Sequence, residues 1–248
     1  SYSMKRIILL HYFFLATLLT ATAQISFNER YKTTVKGDMI VVGNTVIGNH
    51  RTQNFDKRNI DNNNVNQVYI DIDNDPNTFN SSSAEVKDPN PTSMCPRKVK
   101  KAYLYWASFP VDIGNQIDKS KVNKVKFKVN NNAYQEIIGE KLIDNGSDTF
   151  IYRADVTNKL TNVAGIYTVA NLQAAQGRTW GLTAGWLLFI VYEDTSKTAH
   201  NITLFDGFME VKNNSNKGIK LSNFKTVPTG PVKAKIAFSA LEGDGTGG

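Results

Sequence analysis

The chain has 248 residues, of which 41% are hydrophobic and 21% charged, and it carries a formal net charge of +7. That length supplies one large β domain or two small ones with a proper core. The basic excess is spread along the chain rather than gathered into one arm, which argues against nucleic acid as a dedicated partner and keeps anionic surface polysaccharide as a candidate.

Residues 1–23 read as an export signal preceded by extra residues. Lys5 and Arg6 form a short positive region, Ile7 to Leu19 a mostly apolar one, and Ala21-Thr22-Ala23 has the small-x-small pattern that signal peptidase cuts, leaving Gln24 first. The apolar run holds about a dozen residues, is interrupted by His11, and falls short of the roughly 20 that a membrane-spanning helix needs. The mature chain is therefore expected to be secreted, on the outer cell surface or beyond it, with no transmembrane segment. Losing Lys5 and Arg6 lowers the net charge by two. Cys95 is the only cysteine, which excludes a disulfide within the chain. A free, buried thiol is the first expectation and pairing with a residue outside this sequence the alternative.

Beyond the signal the periodicity is that of β structure nearly throughout. Gly37-Asp38, Gly43-Asn44, Asn130 to Asn132, Asn145-Gly146, Asn213 to Asn216 and Pro228 to Pro231 are expected turns, because Gly and Asn tolerate the positive φ that tight turns demand. Asn49 to Val65 and Asn74 to Pro96 are polar, rich in Asn, Ser and Pro, and read as long surface loops on either side of a short strand at Val68 to Ile70. Lys101 to Phe109 and Gly185 to Tyr192 are apolar on both faces and should be central strands. In Lys121 to Asn130, Val125, Phe127 and Val129 alternate with Lys124, Lys126 and Lys128, the signature of a half-buried strand. Its lysines are read as solvated and discouraging edge-to-edge pairing, ahead of a grip on an anionic ligand. Helix is confined to a short turn near Val156 to Val163, capped by Asp155 or Thr157.

These elements predict an all-β fold, an antiparallel β-sandwich or jelly roll over 24–241, in which 24–72 is a candidate small N-terminal β subregion. A Gly-rich tail, 242–248, follows.

The sharpest chemical candidate is Asp71-Ile-Asp73-Asn-Asp75. Carboxylates at every second position can converge on one hard cation when the backbone curls, so Asp71, Asp73 and Asp75 are candidate calcium ligands, with further oxygens from Asn77, Thr78 or Asn80. Pro76 and Ser82 stand where an EF-hand has Gly and a bidentate Glu, so the site is not of that kind. A solvated acidic loop is the alternative.

No catalytic residue is expected. Only His50 and His200 follow the signal, and no Gly-x-Ser-x-Gly, His-Glu-x-x-His or phosphate loop occurs. Asp112, Glu136, Glu140, Asp144, Glu193, Asp194 and Asp206 could serve a glycosidase, but nothing in their spacing brings a pair together. Trp106 and Trp186, with Tyr103 and Tyr105, belong to the apolar strands and should pack in the core. Trp180 lies in Gln176-Gly-Arg-Thr-Trp-Gly181, where a ring is harder to bury, and is the candidate platform for a sugar, with burial as the competing reading.

Taken in order, Tyr31-Lys-Thr-Thr-Val-Lys-Gly-Asp-Met-Ile-Val-Val-Gly-Asn44, Tyr69-Ile-Asp-Ile-Asp-Asn-Asp75, Thr78-Phe-Asn-Ser-Ser-Ser-Ala84, Ala102-Tyr-Leu-Tyr-Trp-Ala107, Gly185-Trp-Leu-Leu-Phe-Ile-Val-Tyr-Glu-Asp194 and Asn201-Ile-Thr-Leu-Phe-Asp-Gly-Phe208 resemble the amino-terminal region of very large Bacteroidetes surface proteins. These are the gliding-motility-associated adhesins, substrates of type IX secretion. The resemblance implies a non-enzymatic module at the cell surface, ahead of repeats and a sorting domain, that serves adhesion or gliding-associated attachment and meets the type IX secretion machinery during export. It carries no ligand-binding residues onto this chain. A carbohydrate-binding accessory domain of a secreted polysaccharide-degrading enzyme is the second expectation, and a structural spacer the third.

Overall fold

A computed structural model describes residues 25–56, 62–109, 113–114, 116–144, 149–211, 217–224, 226 and 229–240. The expected signal at 1–23, its cleavage point before Gln24, the turns at Asn145-Gly146 and Asn213 to Asn216, Pro228, Asp112 and the tail at 242–248 lie outside the described residues.

The chain is all-β. Its strands are β1 (Ile25–Thr45), β2 (Ile47–Gly48), β3 (Val68–Tyr69), β4 (Ser81–Val86), β5 (Lys98–Phe109), β6 (Lys124–Val129), β7 (Gln135–Ile138), β8 (Glu140–Asp144), β9 (Phe150–Asp155), β10 (Gly165–Ala170), β11 (Thr183–Glu193) and β12 (Ala199–Phe208). They form a six-stranded sheet in the order β12-β1-β11-β5-β9-β8, a four-stranded sheet in the order β4-β10-β6-β7, and the two-stranded β2-β3. Every pairing within the sheets is antiparallel.

The two runs expected to be central, β5 and β11, are neighbours in the middle of the six-stranded sheet, with Trp106 opposite Trp186. Their alternate residues Leu104, Trp106, Leu188 and Ile190 share one core with Val125, Phe127 and Val129 of β6 and Tyr167 and Val169 of β10. That core therefore draws on both large sheets, and each such side chain removed from water contributes about 1.5–3 kcal/mol. β6 follows the predicted alternation, with its apolar residues buried and its lysines turned outward. Both core indoles keep a partner for the ring N–H, as buried tryptophan requires: Trp106 Nε1 donates to Val122 O at 2.9 Å and Trp186 Nε1 to Ser82 Oγ at 2.8 Å.

The opposite face of the six-stranded sheet carries a second apolar cluster, Val35, Phe189, Val191 and Ile202, flanked by Tyr31, Met39, Val41, Tyr103 and Leu204. Beside it, Arg153 Nη1 of β9 lies 3.0 Å from Asp206 Oδ2 of β12. In a flat sheet those strands would stand four spacings apart, about 19 Å, farther than the two side chains can span. The sheet is curled, and this face is its inner side.

Several local expectations are corrected. Gly37-Asp38 and Gly43-Asn44 are not turns but lie inside β1. A Cβ at Gly37 would meet Tyr192 O at 1.9 Å and one at Gly43 would meet Trp186 O at 2.2 Å, so these glycines let the β11 backbone come close. The supposed loop Asn74 to Pro96 contains β4, an edge strand on β10. Its Ser81 and Ser82 are buried, and a hydroxyl-rich strand leaves no apolar alternation to read. The expected helical turn is a single 3-10 turn, Thr157–Lys159, shorter than the expected span; Asp155 does accept from its first amide, that of Thr157, at 3.0 Å, although the N-cap position is Val156. Cys95 is free but half-buried rather than buried.

Candidate functional site

Trp180 sits in the segment between β10 and β11. Leu172, Ala174, Ala175 and Leu182 are fully buried and fix both ends of that segment. Between them, Gln67 and Gly177 exchange backbone hydrogen bonds, both at 2.8 Å, and Gln67 Nε2 donates to Leu182 O at 2.6 Å. The 3-10 turn Asn62–Asn64 holds the tip: Gly181 N donates to Asn63 Oδ1 at 2.7 Å, Arg178 Nε to Asn63 O at 3.4 Å, and Arg178 Nη2 to Asn64 Oδ1 at 3.1 Å. Gly181 has φ +71°, a conformation that L side chains rarely adopt, and the chain turns there. The indole that precedes it is 77% exposed, whereas Trp106 and Trp186 are buried as expected.

The three aspartates of Asp71-Ile-Asp73-Asn-Asp75 do not all point one way. Ser81 Oγ contacts Asp71 Oδ1 and Asp73 Oδ1, both at 2.9 Å, so two of them are brought together. Asp75 turns back on its own loop, accepting from the backbone and side-chain nitrogens of Asn77 at 2.9 Å each. The other oxygen of Asp73 accepts from Lys128 Nζ at 2.5 Å and Tyr134 Oη at 2.7 Å. Burial disfavours the charge on Asp73, but hydrogen bonds from Lys128, Tyr134 and Ser81 outweigh it and hold its pKa at about 2. Burial, and then the Asp73 carboxylate, push the Tyr134 phenol far above its ordinary value. Lys126 Nζ donates to Asn77 O at 2.9 Å. The lysines of β6 thus hold the acidic loop against the sheet, and Lys124 pairs with Glu136 at 3.4 Å. Among the described residues no group of three or more His, Cys, Asp or Glu is arranged to hold a metal ion.

The remaining carboxylates are mostly apart, each with its own partner. Asp144 accepts from Tyr152 Oη at 2.8 Å, Glu193 lies 3.9 Å from Lys100, and Asp194 accepts from Asn90 at 3.0 Å. Glu140 and Asp206 meet at one guanidinium: Arg153 Nη2 is 3.2 Å from Glu140 and Nη1 is 3.0 Å from Asp206. Asp206 also receives Arg30 Nε at 3.0 Å and Tyr105 Oη at 3.1 Å. Asp206 holds Arg30 mainly through that hydrogen bond and raises its pKa; burial, then Asp206, raises that of Tyr105 well above its usual value.

Sequence reasoning missed Lys128 and Tyr134 as partners of Asp73, and Arg30 and Arg153 as partners of Asp206. The outward lysines of β6 were the available signal for the first; the curl that makes the second has no local signature. Asn63 and Asn64 were equally unmarked within an Asn-rich stretch. Among the described residues no helix is long and apolar enough to cross a membrane. No family model, curated protein or solved structure matches this chain.

Proposed function

We propose that this chain is a non-catalytic, extracellular β-sandwich module of a bacterial cell-surface adhesin, acting in adhesion or gliding-associated attachment through a saccharide laid on Trp180. One observation carries the reading: an indole 77% exposed on a segment pinned by buried residues at both ends and by Asn63 at its tip. Exposing a large ring is costly unless something covers it. Holding the ring on a fixed frame reduces the ordering cost of binding. The sandwich description is supported by the single core to which both large sheets contribute. Export through an amino-terminal signal and the type IX machinery, and a place on the outer surface, belong to the same reading and rest on the sequence.

The test is a glycan array probed with the native chain and with Trp180→Ala. The native chain should bind a definite set of glycans that the variant loses, while both melt at nearly the same temperature because Trp180 is mostly exposed. Identical profiles would remove the platform. A carbohydrate-binding accessory domain would give the same array result; attachment of the full-length surface protein to its substratum, weakened by Trp180→Ala, favours the adhesin. Calcium at Asp71, Asp73 and Asp75 is a further proposal, in which the cation competes with Lys128 for Asp73.

A further inference from the structure

We propose that the Trp180 segment selects acidic saccharides, chains containing uronic acid, with Trp180 as the stacking ring and Arg178 as the carboxylate contact; this rests on the reading of Trp180 as a sugar platform. The arginines differ in what holds them. Arg30, Arg97 and Arg153 each lie against a carboxylate. Arg178 is held instead by the backbone oxygen of Asn63 and the amide oxygen of Asn64. Both acceptors are neutral, so the guanidinium is oriented without its charge being cancelled. Two of its five N–H groups are engaged, which leaves the others for a planar carboxylate.

Asn63 links the two binding groups. Its backbone oxygen receives Arg178 Nε and its side-chain oxygen receives the amide of Gly181, the residue after Trp180. One asparagine therefore sets both the cation and the turn that presents the ring. A pyranose offers an apolar face of C–H groups to an indole, and a uronic acid adds a carboxylate at the ring edge. A ligand with both features uses both residues; a neutral sugar uses only one. Beside them, the Gln116 side chain bonds the backbone of Gln176 at 2.9 and 3.0 Å, and Gln176 Oε1 accepts from the Tyr69 amide at 2.9 Å, which fixes the start of the segment. Arg178 is the one cation of the stretch 171–182, and one cation beside one ring lacks the repeated positive charge that tracks a nucleic-acid backbone.

The experiment titrates the native chain, Arg178→Gln and Trp180→Ala with an oligogalacturonate, with its methyl ester, which keeps the shape and loses the charge, and with a single-stranded oligonucleotide. The acid should bind the native chain about tenfold more tightly than the ester, as expected for one charge-assisted contact, and added salt should weaken the acid alone. Arg178→Gln should bring the acid down to the ester, and Trp180→Ala should lose both. Equal binding of acid and ester, lost in Trp180→Ala, overturns the acidic preference and leaves the platform standing. Binding unaffected by Trp180→Ala sinks the platform itself, and tighter binding of the oligonucleotide overturns the saccharide assignment. No binding of either saccharide overturns the acidic preference, and the glycan array then decides the platform.

Discussion

A Cβ placed on Gly139 would lie 2.4 Å from Cη2 of Trp106. Gly139 is the one residue between β7 of the four-stranded sheet and β8 of the six-stranded sheet, so the chain crosses between the sheets directly against the buried indole. Trp106 cannot retreat, because it stacks on Tyr152 with ring centroids 6.1 Å apart and its N–H is bound to Val122 O. Gly139→Ala should therefore act as overpacking and cost about 1–3 kcal/mol. Urea unfolding measures this; an unchanged midpoint would mean the corner has room that the distances deny.

The tie across the curl gives a second expectation. Asp206 and Arg153 have side chains only 5% and 11% exposed, and removing Asp206 takes the carboxylate from Arg153, Arg30 and Tyr105 together, leaving Arg153 only the exposed Glu140. Asp206→Ala should cost about 3 kcal/mol, and Arg153→Met in the same chain should recover part of that loss. Denaturation of the two single variants and the double variant forms the cycle that measures this. Strict additivity would show that the pair does not couple the strands.

Asp73 makes stability depend on acid. Its folded pKa, about 2, lies below the value of about 3.9 in an unfolded chain. Between those values the unfolded state binds more protons than the folded one, so stability rises with pH across the window. The contribution is complete above about pH 4 and is lost as pH falls toward 2. Melting temperatures taken from pH 5 to pH 2 should fall less steeply for Asp73→Asn than for the native chain, and parallel curves would refute the assignment.

The proposed calcium would compete with Lys128 for one oxygen of Asp73. Lys128→Met removes the ammonium from Asp73 and leaves Asp71 and Asp73 joined through Ser81. A ligand that binds only the folded state raises the melting temperature, so millimolar calcium should raise it above the EDTA value, and by more in Lys128→Met than in the native chain. If both proteins melt identically with and without calcium, the loop is held by protein groups alone.

The legible parts of this fold were those with a period. β5, β6 and β11 were readable because an apolar run or a strict alternation reports burial directly. β4 was not, since its buried serines look like loop chemistry until Trp186 is seen donating to Ser82. Gly37 and Gly43 misled for a related reason: glycine marks both turns and close backbone approach, and only the neighbouring strand tells which. The residues of the candidate sites could be picked out by type, but not their partners. Trp180 and Asp73 stand out by residue type, whereas Arg178, Lys128 and Tyr134 gain meaning only through contacts between distant parts of the chain.

The register of β1 against β12 sets how the module answers a pull. Ile25 is opposite Phe208, so the beginning of the first strand and the end of the last leave from the same place. Tension applied at Ile25 and Phe208 themselves would unzip the ladder one hydrogen bond at a time instead of shearing all of them together.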